Sequence, residues 1–210
     1  MAQITTGFRG VLSHPMAYNF LQRLLGAERA RAILVSEYFP IKPKMRMLDI
    51  GCGTAEILHH LPADVDYVGF DASEAYICHA VRHFGDRGRF SAELVESATL
   101  DGLGRFDLVL AFGLLHHLGD EEVHSLFSLV ANALDVGGKL VTIDPAYVDG
   151  QNPFARWLIG RDRGQNVRSP EGYAALAYEH FDDVRCNVHH DLLYIPYTHT
   201  VLECRATGMA

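Results

Sequence analysis

The segment MLDIGCGTAEIL, which spans residues 47–58, contains residue types whose order suits the binding of a nucleotide. An apolar run ends in Asp49, and Gly51 and Gly53 follow before a helix-forming run begins. Two glycines permit a tight turn and let the backbone approach a ligand closely. Asp71 ends the next apolar run, where its carboxylate can accept hydrogen bonds from both hydroxyls of a ribose. The pattern indicates an adenosine-containing ligand without choosing among cofactors.

Charged residues on either side of the turn distinguish between these cofactors. A dinucleotide-binding turn needs a third small residue where this chain has Glu56. The helix predicted over residues 54–61, with Thr54 as its N-cap, points free N–H groups at the ligand and places the Glu56 carboxylate where it would repel a pyrophosphate. Asp49 can face a cationic group of the ligand. Both acids favour a zwitterion with an ammonium and a sulfonium group, and S-adenosylmethionine has this charge pattern.

The elements that must position these residues alternate between strand and helix patterns, which indicates an α/β fold with a mostly parallel sheet. Apolar runs predict five successive strands, at residues 45–50, 65–71, 89–95, 106–112 and 137–144. Helices are predicted at residues 15–37, 54–61, 74–84 after Ser73 as N-cap, 120–134 and 170–180. Two final strands, at 183–193 and 199–206, have a short connection and are expected to pair antiparallel.

The 210 residues are predicted to form a single domain. Helices over residues 15–37 precede the sheet, and a turn-rich, locally basic segment around residues 145–173 interrupts the regular alternation. Because this segment leaves the fifth strand at the edge where the ligand is expected, we interpret it as a lid over the acceptor substrate.

Four ordered segments resemble the class I S-adenosylmethionine-dependent methyltransferases, in particular those that act on small molecules. They are LDIGCGTAEIL, YVGFDAS, FDLVLAFGLLHHL and ALDVGGKLVTIDP. The resemblance covers roughly residues 45–145, and the final strand pair fits it as well. It implies a doubly wound, Rossmann-like sheet of seven strands, mostly parallel with an antiparallel last strand and with helices on both faces.

The resemblance also implies contacts to S-adenosylmethionine and to its product S-adenosylhomocysteine. The predicted cofactor-binding residues are Asp49, Gly51, Gly53, Asp71, Ala72, Ser73, Ser97, Ala98, Ala111, Phe112 and Tyr18. Ala98 would offer its backbone to adenine, and Ser97 stands where many relatives carry an aspartate. Tyr18 lies in the N-terminal helices that often cover the cofactor in this class. The alternative for Tyr18 is simple packing of an amphipathic helix.

Methyl transfer to an oxygen of high pKa needs a general base as well as alignment in a dry pocket. His116 and His117 follow the fourth predicted strand, which edges the cofactor site. Histidine titrates in a range that suits a base, and His117 is preferred for this role. The alternative is that the pair packs the turn, with one ring buried and hydrogen-bonded.

The segment after residue 145 contains the candidate acceptor-binding residues. Its arginines, together with Arg156 and Arg168, would bind a carboxylate or phosphate, or would form surface ion pairs. The tyrosines before the last strand and His199 are further candidates for the pocket wall. The alternative is that they are exposed aromatic residues of a turn. The predicted substrate-binding residues are Arg161, Arg163, Trp157, Tyr194, Tyr197 and His14.

Composition limits the partners and the compartment. The net charge of −8, from 26 acidic and 18 basic residues, argues against non-specific binding to nucleic acid. No apolar stretch approaches a membrane span or a secretory signal peptide, and the four scattered cysteines fit reduced thiols, so a cytoplasmic protein is expected. His79 and His83 have metal-ligand spacing but no acidic or cysteine partner in a recognisable motif, so no metal is predicted.

The favoured interpretation is a methyltransferase acting on a small molecule, at oxygen. An N-methyltransferase is the first alternative, because a neutral amine needs alignment alone. An NAD-dependent oxidoreductase ranks low because of Glu56, and the intact Gly51, Gly53 and Asp71 argue against a catalytically silent binding module. The sequence does not determine the oligomeric state or the acceptor.

Overall fold

The computed structural model describes residues 15–161 and 164–205, with side chains from residue 19 onwards. The strands are β1 (Arg46–Ile50), β2 (Asp66–Phe70), β3 (Gly88–Ser91), β4 (Phe106–Phe112), β5 (Leu134–Pro145), β6 (Asp183–His189) and β7 (His199–Arg205). The helices are α1 (Pro15–Leu25), α2 (Ala27–Tyr38), α3 (Glu74–Phe84), α4 (Ser97–Leu100), α5 (Asp120–Ala133), α6 (Pro153–Ile159) and α7 (Pro170–Tyr178). Short 3₁₀ helices cover Glu56–His60 and Leu115–His117.

The seven strands form one sheet in the order β3-β2-β1-β4-β5-β7-β6. Neighbours from β3 to β5 pair in parallel, whereas β7 runs antiparallel to both β5 and β6. The chain order reverses between β1 and β4, and ligands of open α/β sheets bind in the crevice at such a point, beyond the carboxyl ends of the strands. The predicted seven-stranded, doubly wound sheet is confirmed.

Each face of the sheet carries its own apolar core, because successive side chains of a strand point to opposite faces. Leu48 of β1 and Val109 of β4 pack with Phe127 of α5 on one face. On the other face, Met47 of β1 packs with Leu34 of α2. Helices therefore cover both faces and leave the strand ends as the accessible edge.

Two predicted elements differ in the structure. The helix expected over residues 54–61 is reduced to the 3₁₀ helix Glu56–His60. Ala55 before it adopts a left-handed conformation at φ +58°, and Leu61 after it is extended, as is favoured for the residue before a proline. Thr54 does not cap it, since its hydroxyl donates a hydrogen bond to Oδ1 of Asn19. The third strand ends at Ser91 rather than residue 95, since β3 lies at the sheet edge and pairs with β2 alone.

Candidate functional site

The glycine turn after β1 has a backbone conformation that favours glycine. Gly51 and Gly53 have φ of +79° and +56°, where other residues are strained. The N–H groups of Gly51 and Cys52 donate to the carbonyl of Phe70 at 2.8 and 2.9 Å, which ties the turn to the end of β2. Among the residues that the structure describes, and apart from the two chain neighbours of Gly53, no heavy atom lies within 4 Å of the position that a Cβ on Gly53 would take. The backbone of Gly53 is therefore open to a ligand.

Asp71 holds this turn in place from the end of β2. Its Oδ2 accepts a hydrogen bond from the N–H of Gly53 at 2.9 Å, and its Oδ1 accepts one from the N–H of Ser73 at 2.8 Å. Burial raises the pKa of Asp71, and these two backbone donors oppose that rise. Each carboxylate oxygen keeps a second lone pair. The predicted bonds to ribose hydroxyls are therefore compatible with the existing contacts.

Asp49 is a buried acid in the wall of the site, with 4% of its surface exposed. The hydroxyl of Tyr67 donates to its Oδ2 at 2.6 Å. Burial raises the pKa of Asp49 to about 7, although the Tyr67 hydrogen bond and the charge of Arg31 act in the opposite direction. A cationic ligand beside Asp49 would stabilise the ionised carboxylate, in agreement with the charge pattern predicted for the ligand.

Helix α1 is joined to the glycine turn through Asn19. The Asn19 side chain accepts a hydrogen bond from the Thr54 hydroxyl at 2.8 Å and donates one to Oε1 of Glu56 at 2.9 Å. Glu56 lines the site, with Nε2 of His79 3.9 Å from the same oxygen. The N-terminal helix thus closes the site from one side. Sequence reasoning missed Asn19, because nothing in its local sequence distinguishes it from a solvent-exposed helix residue.

These residues line part of an open cavity of about 1510 Å³, which extends from the carboxyl edge of the sheet along α5. Six acidic side chains line it, from Asp49, Glu56, Asp71, Glu93, Glu96 and Glu122. Within residues 15–161 and 164–205, the arginines in the wall are Arg31 and Arg161, and no lysine joins them. Acidic walls oppose an anionic pyrophosphate and favour a cationic ligand. Arg31 is a second residue that sequence reasoning missed.

The wall contains part of the predicted adenine-binding set. Ala72 and Ser97 line the cavity, and Phe112 closes it from the end of β4. The loop between β3 and α4 brings Glu93 to Glu96 into the wall, because the third strand ends early.

Three of the predicted cofactor residues that the structure describes, Ser73, Ala98 and Ala111, are not among those that line the cavity. The Ser73 hydroxyl accepts a hydrogen bond from the N–H of Tyr76 at 3.4 Å and so caps α3, as predicted from its position. Ala98 lies in α4, and Ala111 is fully buried in the core. The side chain of Tyr18 lies outside the described residues.

His116 is held in a buried pair with Asp144 at the end of β5. Its ring Nδ1 lies 2.8 Å from Asp144 Oδ1, to which the backbone N–H of His116 also donates at 3.1 Å. Burial raises the pKa of Asp144, and His116 opposes that rise. This matches the packing alternative for one histidine of the pair. His117 is only half-buried, its ring centroid lies 4.0 Å from that of His116, and both rings line the cavity.

The segment after β5 brings part of the predicted acceptor set to the cavity. Arg161 lines the wall and lies over the ring of Trp157, 3.9 Å from its centroid. The ring of Trp157 in turn stacks on that of Phe154, with 5.7 Å between the ring centroids. Trp157 is about half exposed and is not among the residues that line the cavity. Arg156 lies over the ring of Tyr147 rather than at the cavity. Arg163 and His14 lie outside the described residues.

Arg168 is an anchor of this segment, which agrees with the ion-pair alternative for its arginines. Its guanidinium donates to the carbonyls of Leu115 and Leu118 at 3.1 and 2.8 Å and pairs with Asp120 at 2.6 Å. The N–H of Asn166 donates to the carbonyl of His116 at 3.0 Å. These bonds fasten the end of the segment to the turn that carries both candidate histidines.

The residues before β7 divide between the cavity and the surface. Tyr197 and His199 line the cavity, with ring centroids 4.8 Å apart. Tyr194 is 69% exposed, its ring packs against Gly26, and its N–H donates to Leu25. Tyr194 therefore supports the junction of α1 and α2 rather than the cavity wall.

Within the described ranges, no three His, Cys, Asp or Glu side chains are arranged to hold a metal ion. No helix in the same part of the chain is long and apolar enough to cross a membrane. The four cysteines are free thiols.

The strand order and the glycine turn together define the class I methyltransferase fold. Residues 48–140 match the family model described as a methyltransferase domain. The chain therefore contains a segment similar to methyltransferase domains, in agreement with the predicted family, enzyme class and cofactor, and the predicted fold is confirmed.

Curated relatives are similar over part of their length. The chain is 26% identical over 125 residues to cyclopropane-fatty-acyl-phospholipid synthase of Escherichia coli K12, covering 55% of this chain and 30% of the relative. It is 25% identical over 134 residues to cyclopropane mycolic acid synthase 3 of Mycobacterium tuberculosis H37Rv, covering 60% of this chain and 46% of the relative. The chain thus spans less than half the length of either relative.

Solved structures match nearly the whole chain. Human N-acetylserotonin methyltransferase in complex with SAM has a TM-score of 0.67 at 17% identity, with 92% of this chain and 55% of that chain covered. The pyocyanin biosynthetic protein PhzM has a TM-score of 0.70 at 14% identity, with 91% and 58% covered. The mitomycin 7-O-methyltransferase MmcR has a TM-score of 0.62 at 21% identity, with 93% and 60% covered.

Proposed function

We propose that this protein is an S-adenosylmethionine-dependent methyltransferase that methylates an oxygen atom of a small-molecule acceptor. The observation that carries the proposal is the cavity at the β1, β2 and β4 ends, where the open Gly53 backbone and Asp71 meet the buried Asp49. The Asp71 carboxylate can accept hydrogen bonds from the hydroxyls of a ribose, and the acidic wall attracts a cation. The relatives named for methyl transfer to small molecules support the same assignment.

In this proposal the donor lies along the β1–β2 side of the cavity. Gly51 and Gly53 contact its methionine and ribose, Asp71 accepts from the ribose hydroxyls, and Ala72 with Ser97 lies at the adenine. Asp49 faces the ammonium or sulfonium. Ser73, Ala98 and Ala111 support this surface from behind, through the cap of α3, the short helix α4 and the core beneath β4.

The acceptor then lies on the β4–β5 side, between Phe112 and the segment after β5. His117, Arg161, Tyr197 and His199 line this part of the cavity. The guanidinium of Arg161 is held against Trp157 and binds an anionic group of the acceptor, a carboxylate or a phosphate. Apolar residues beside it, such as Leu158, cover the body of the acceptor and exclude water.

S-adenosylmethionine, when bound, supplies a methyl group on a sulfonium. Transfer of this group would form a bond from the acceptor oxygen to the methyl carbon and break the carbon–sulfur bond, whose electron pair would stay with sulfur in S-adenosylhomocysteine. His117 accepts the proton of the acceptor hydroxyl. His116 acts indirectly, because Asp144 and the segment at Gly164 hold its ring and its main chain in the turn that presents His117. The cavity walls hold the reacting atoms in line and dry.

Isothermal titration with S-adenosylhomocysteine and NAD tests the donor. Binding of S-adenosylhomocysteine without a response to NAD is expected, and the opposite result would overturn the proposal. The acceptor is then sought with purified protein, S-adenosylmethionine and matched sets of hydroxylated aromatic acids, neutral phenols and aromatic amines. The acids are expected to be methylated on oxygen, as mass spectrometry of the products would show. Methylation of the amines alone would replace the oxygen assignment with the N-methyltransferase alternative.

A further inference from the structure

Arg31 is a positively charged residue of the cavity wall that the proposed reaction does not yet use. It lies on α2 and is half-buried. No hydrogen bond or ion pair connects it to another residue in the described part of the chain. Arg168, by contrast, is engaged by Leu115, Leu118 and Asp120. A partly buried guanidinium without a partner is suited to an anionic ligand.

The position of Arg31 is at the donor end of the cavity. Its charge acts on Asp49 at the end of β1, whose pKa it lowers against the larger effect of burial. After burial itself, the charge of Arg31 is also the next cause of the lowered pKa of His60, at the end of the 3₁₀ helix that follows the glycine turn. Ala30 and Leu34, which lie on the same helix as Arg31, belong to the same apolar core as Ile57 and Leu58 of that 3₁₀ helix. Arg31 therefore lies on the side of the cavity that holds the glycine turn.

The amino-acid end of S-adenosylmethionine carries a carboxylate as well as an ammonium group. The acidic side chains nearby serve the ammonium and the sulfonium but would repel the carboxylate. Of the two arginines in the described wall, Arg161 belongs to the segment after β5 and is stacked on Trp157 on the acceptor side. Arg31 belongs to α2, which packs beside the glycine turn, and both Arg31 and Asp49 line the cavity.

We propose that Arg31 binds the α-carboxylate of the methyl donor and makes the protein selective for donors that retain this group. The inference rests on the proposed function. A guanidinium can make two parallel hydrogen bonds to a carboxylate, which a neutral side chain cannot reproduce. Asp49 and Arg31 then bind opposite charges of one amino-acid group, and the donor is oriented before the acceptor enters.

The test compares S-adenosylmethionine with decarboxylated S-adenosylmethionine, which lacks this carboxylate alone, by isothermal titration. The wild-type protein is expected to bind the carboxylated donor about 10- to 100-fold more tightly, in line with charged hydrogen bonds. In Arg31→Gln this preference is expected to fall to about 1, with affinity for the decarboxylated donor kept. Arg31→Lys should restore part of the preference, since it keeps the charge without the planar fork.

Arg185→Gln, at an exposed arginine of edge strand β6, is the matched control and should keep the wild-type preference. Thermal unfolding of each variant separates loss of binding from loss of folding. Equal weakening of both donors in Arg31→Gln, or no preference in the wild-type protein, would overturn the inference and leave the methyltransferase proposal intact. Failure of the wild-type protein to bind either donor would overturn the proposed function, and the inference with it.

Discussion

The ring of His116 lies 2.8 Å from the carboxylate of Asp144, with both side chains buried and Gly164 packed against the other side of the ring. This arrangement connects the end of β5, the turn after β4 and the lid segment. It also separates the roles of two adjacent histidines. Both rings line the cavity, but His116 is buried against Asp144, whereas His117 is half-buried.

We predict that His116→Ala lowers the free energy of unfolding by about 3 kcal/mol, because it leaves the Asp144 carboxylate buried without its imidazole partner. Asp144→Asn should cost less, since an amide oxygen can still accept from the backbone N–H of His116. Urea unfolding measures both. His83→Ala, at an exposed histidine, is the control and should change stability by less than about 0.5 kcal/mol. Equal stability of His116→Ala and His83→Ala would contradict this structural role of His116.

Gly164→Ala is expected to loosen the lid segment. A Cβ at this position would overlap Cδ2 of His116 and lie 2.7 Å from its carbonyl oxygen, so the backbone must shift away from the turn. Limited trypsin digestion should then cleave after Arg161 several-fold faster than in the wild-type protein. Gly160→Ala is the matched control in the same segment, because its Cβ would meet no atom closer than 3.5 Å. A cleavage rate that rises equally in both variants would show that Gly164 has no special contact.

Gly53→Ala should separate backbone strain from ligand contact. Its φ of +56° costs an alanine about 1 kcal/mol, and the added methyl group would enter the open space where the donor is proposed to lie. The affinity for S-adenosylhomocysteine is therefore expected to fall at least about 10-fold. Gly102→Ala is the control, since Gly102 also has a positive φ, +80°, and open space but does not line the cavity. Titration of both variants with S-adenosylhomocysteine separates the two effects. Backbone strain is expected to reduce the stability of both variants, whereas the affinity is expected to fall in Gly53→Ala and to stay unchanged in Gly102→Ala.

The sequence was sufficient to predict the strands and the glycine turn, since both depend on local patterns. The apolar run of β4 predicted its observed bounds, and Asp71 was identified by its position at a strand end. Asn19 and Arg31 could not be predicted, because their roles depend on how α1 and α2 pack over the cavity. The choice between the two alternatives for Arg168 could not be made for a related reason: its partners include backbone carbonyls of a distant turn, which no side-chain pattern reveals.

The last prediction concerns the pH dependence of stability through Asp49. The pKa of this carboxyl is raised from 3.8 to about 7 in the folded protein, chiefly by burial. Between these values the folded state binds more protons than the unfolded state, so this group makes the protein less stable as the pH rises from about 4 to 7. Asp49→Asn removes the ionisable group while its amide oxygen can still accept from Tyr67. The variant should therefore lose this part of the pH dependence. The free energy of unfolding of the variant minus that of the wild type should be more positive at pH 8 than at pH 4.

Urea unfolding of both proteins at pH 4, 6 and 8 measures this effect, with the exposed Asp101→Asn as control. Curves that run parallel for wild type and Asp49→Asn would refute a protonated Asp49. The affinity for S-adenosylmethionine, measured by titration at the same pH values, is a second readout. The positive charges of this donor favour the ionised carboxylate, so its affinity for the wild-type protein should rise with pH up to about 7 and that of Asp49→Asn should be weaker at pH 8. The two readouts have opposite signs for one residue, because the charge that destabilises the free protein is the one that the donor requires.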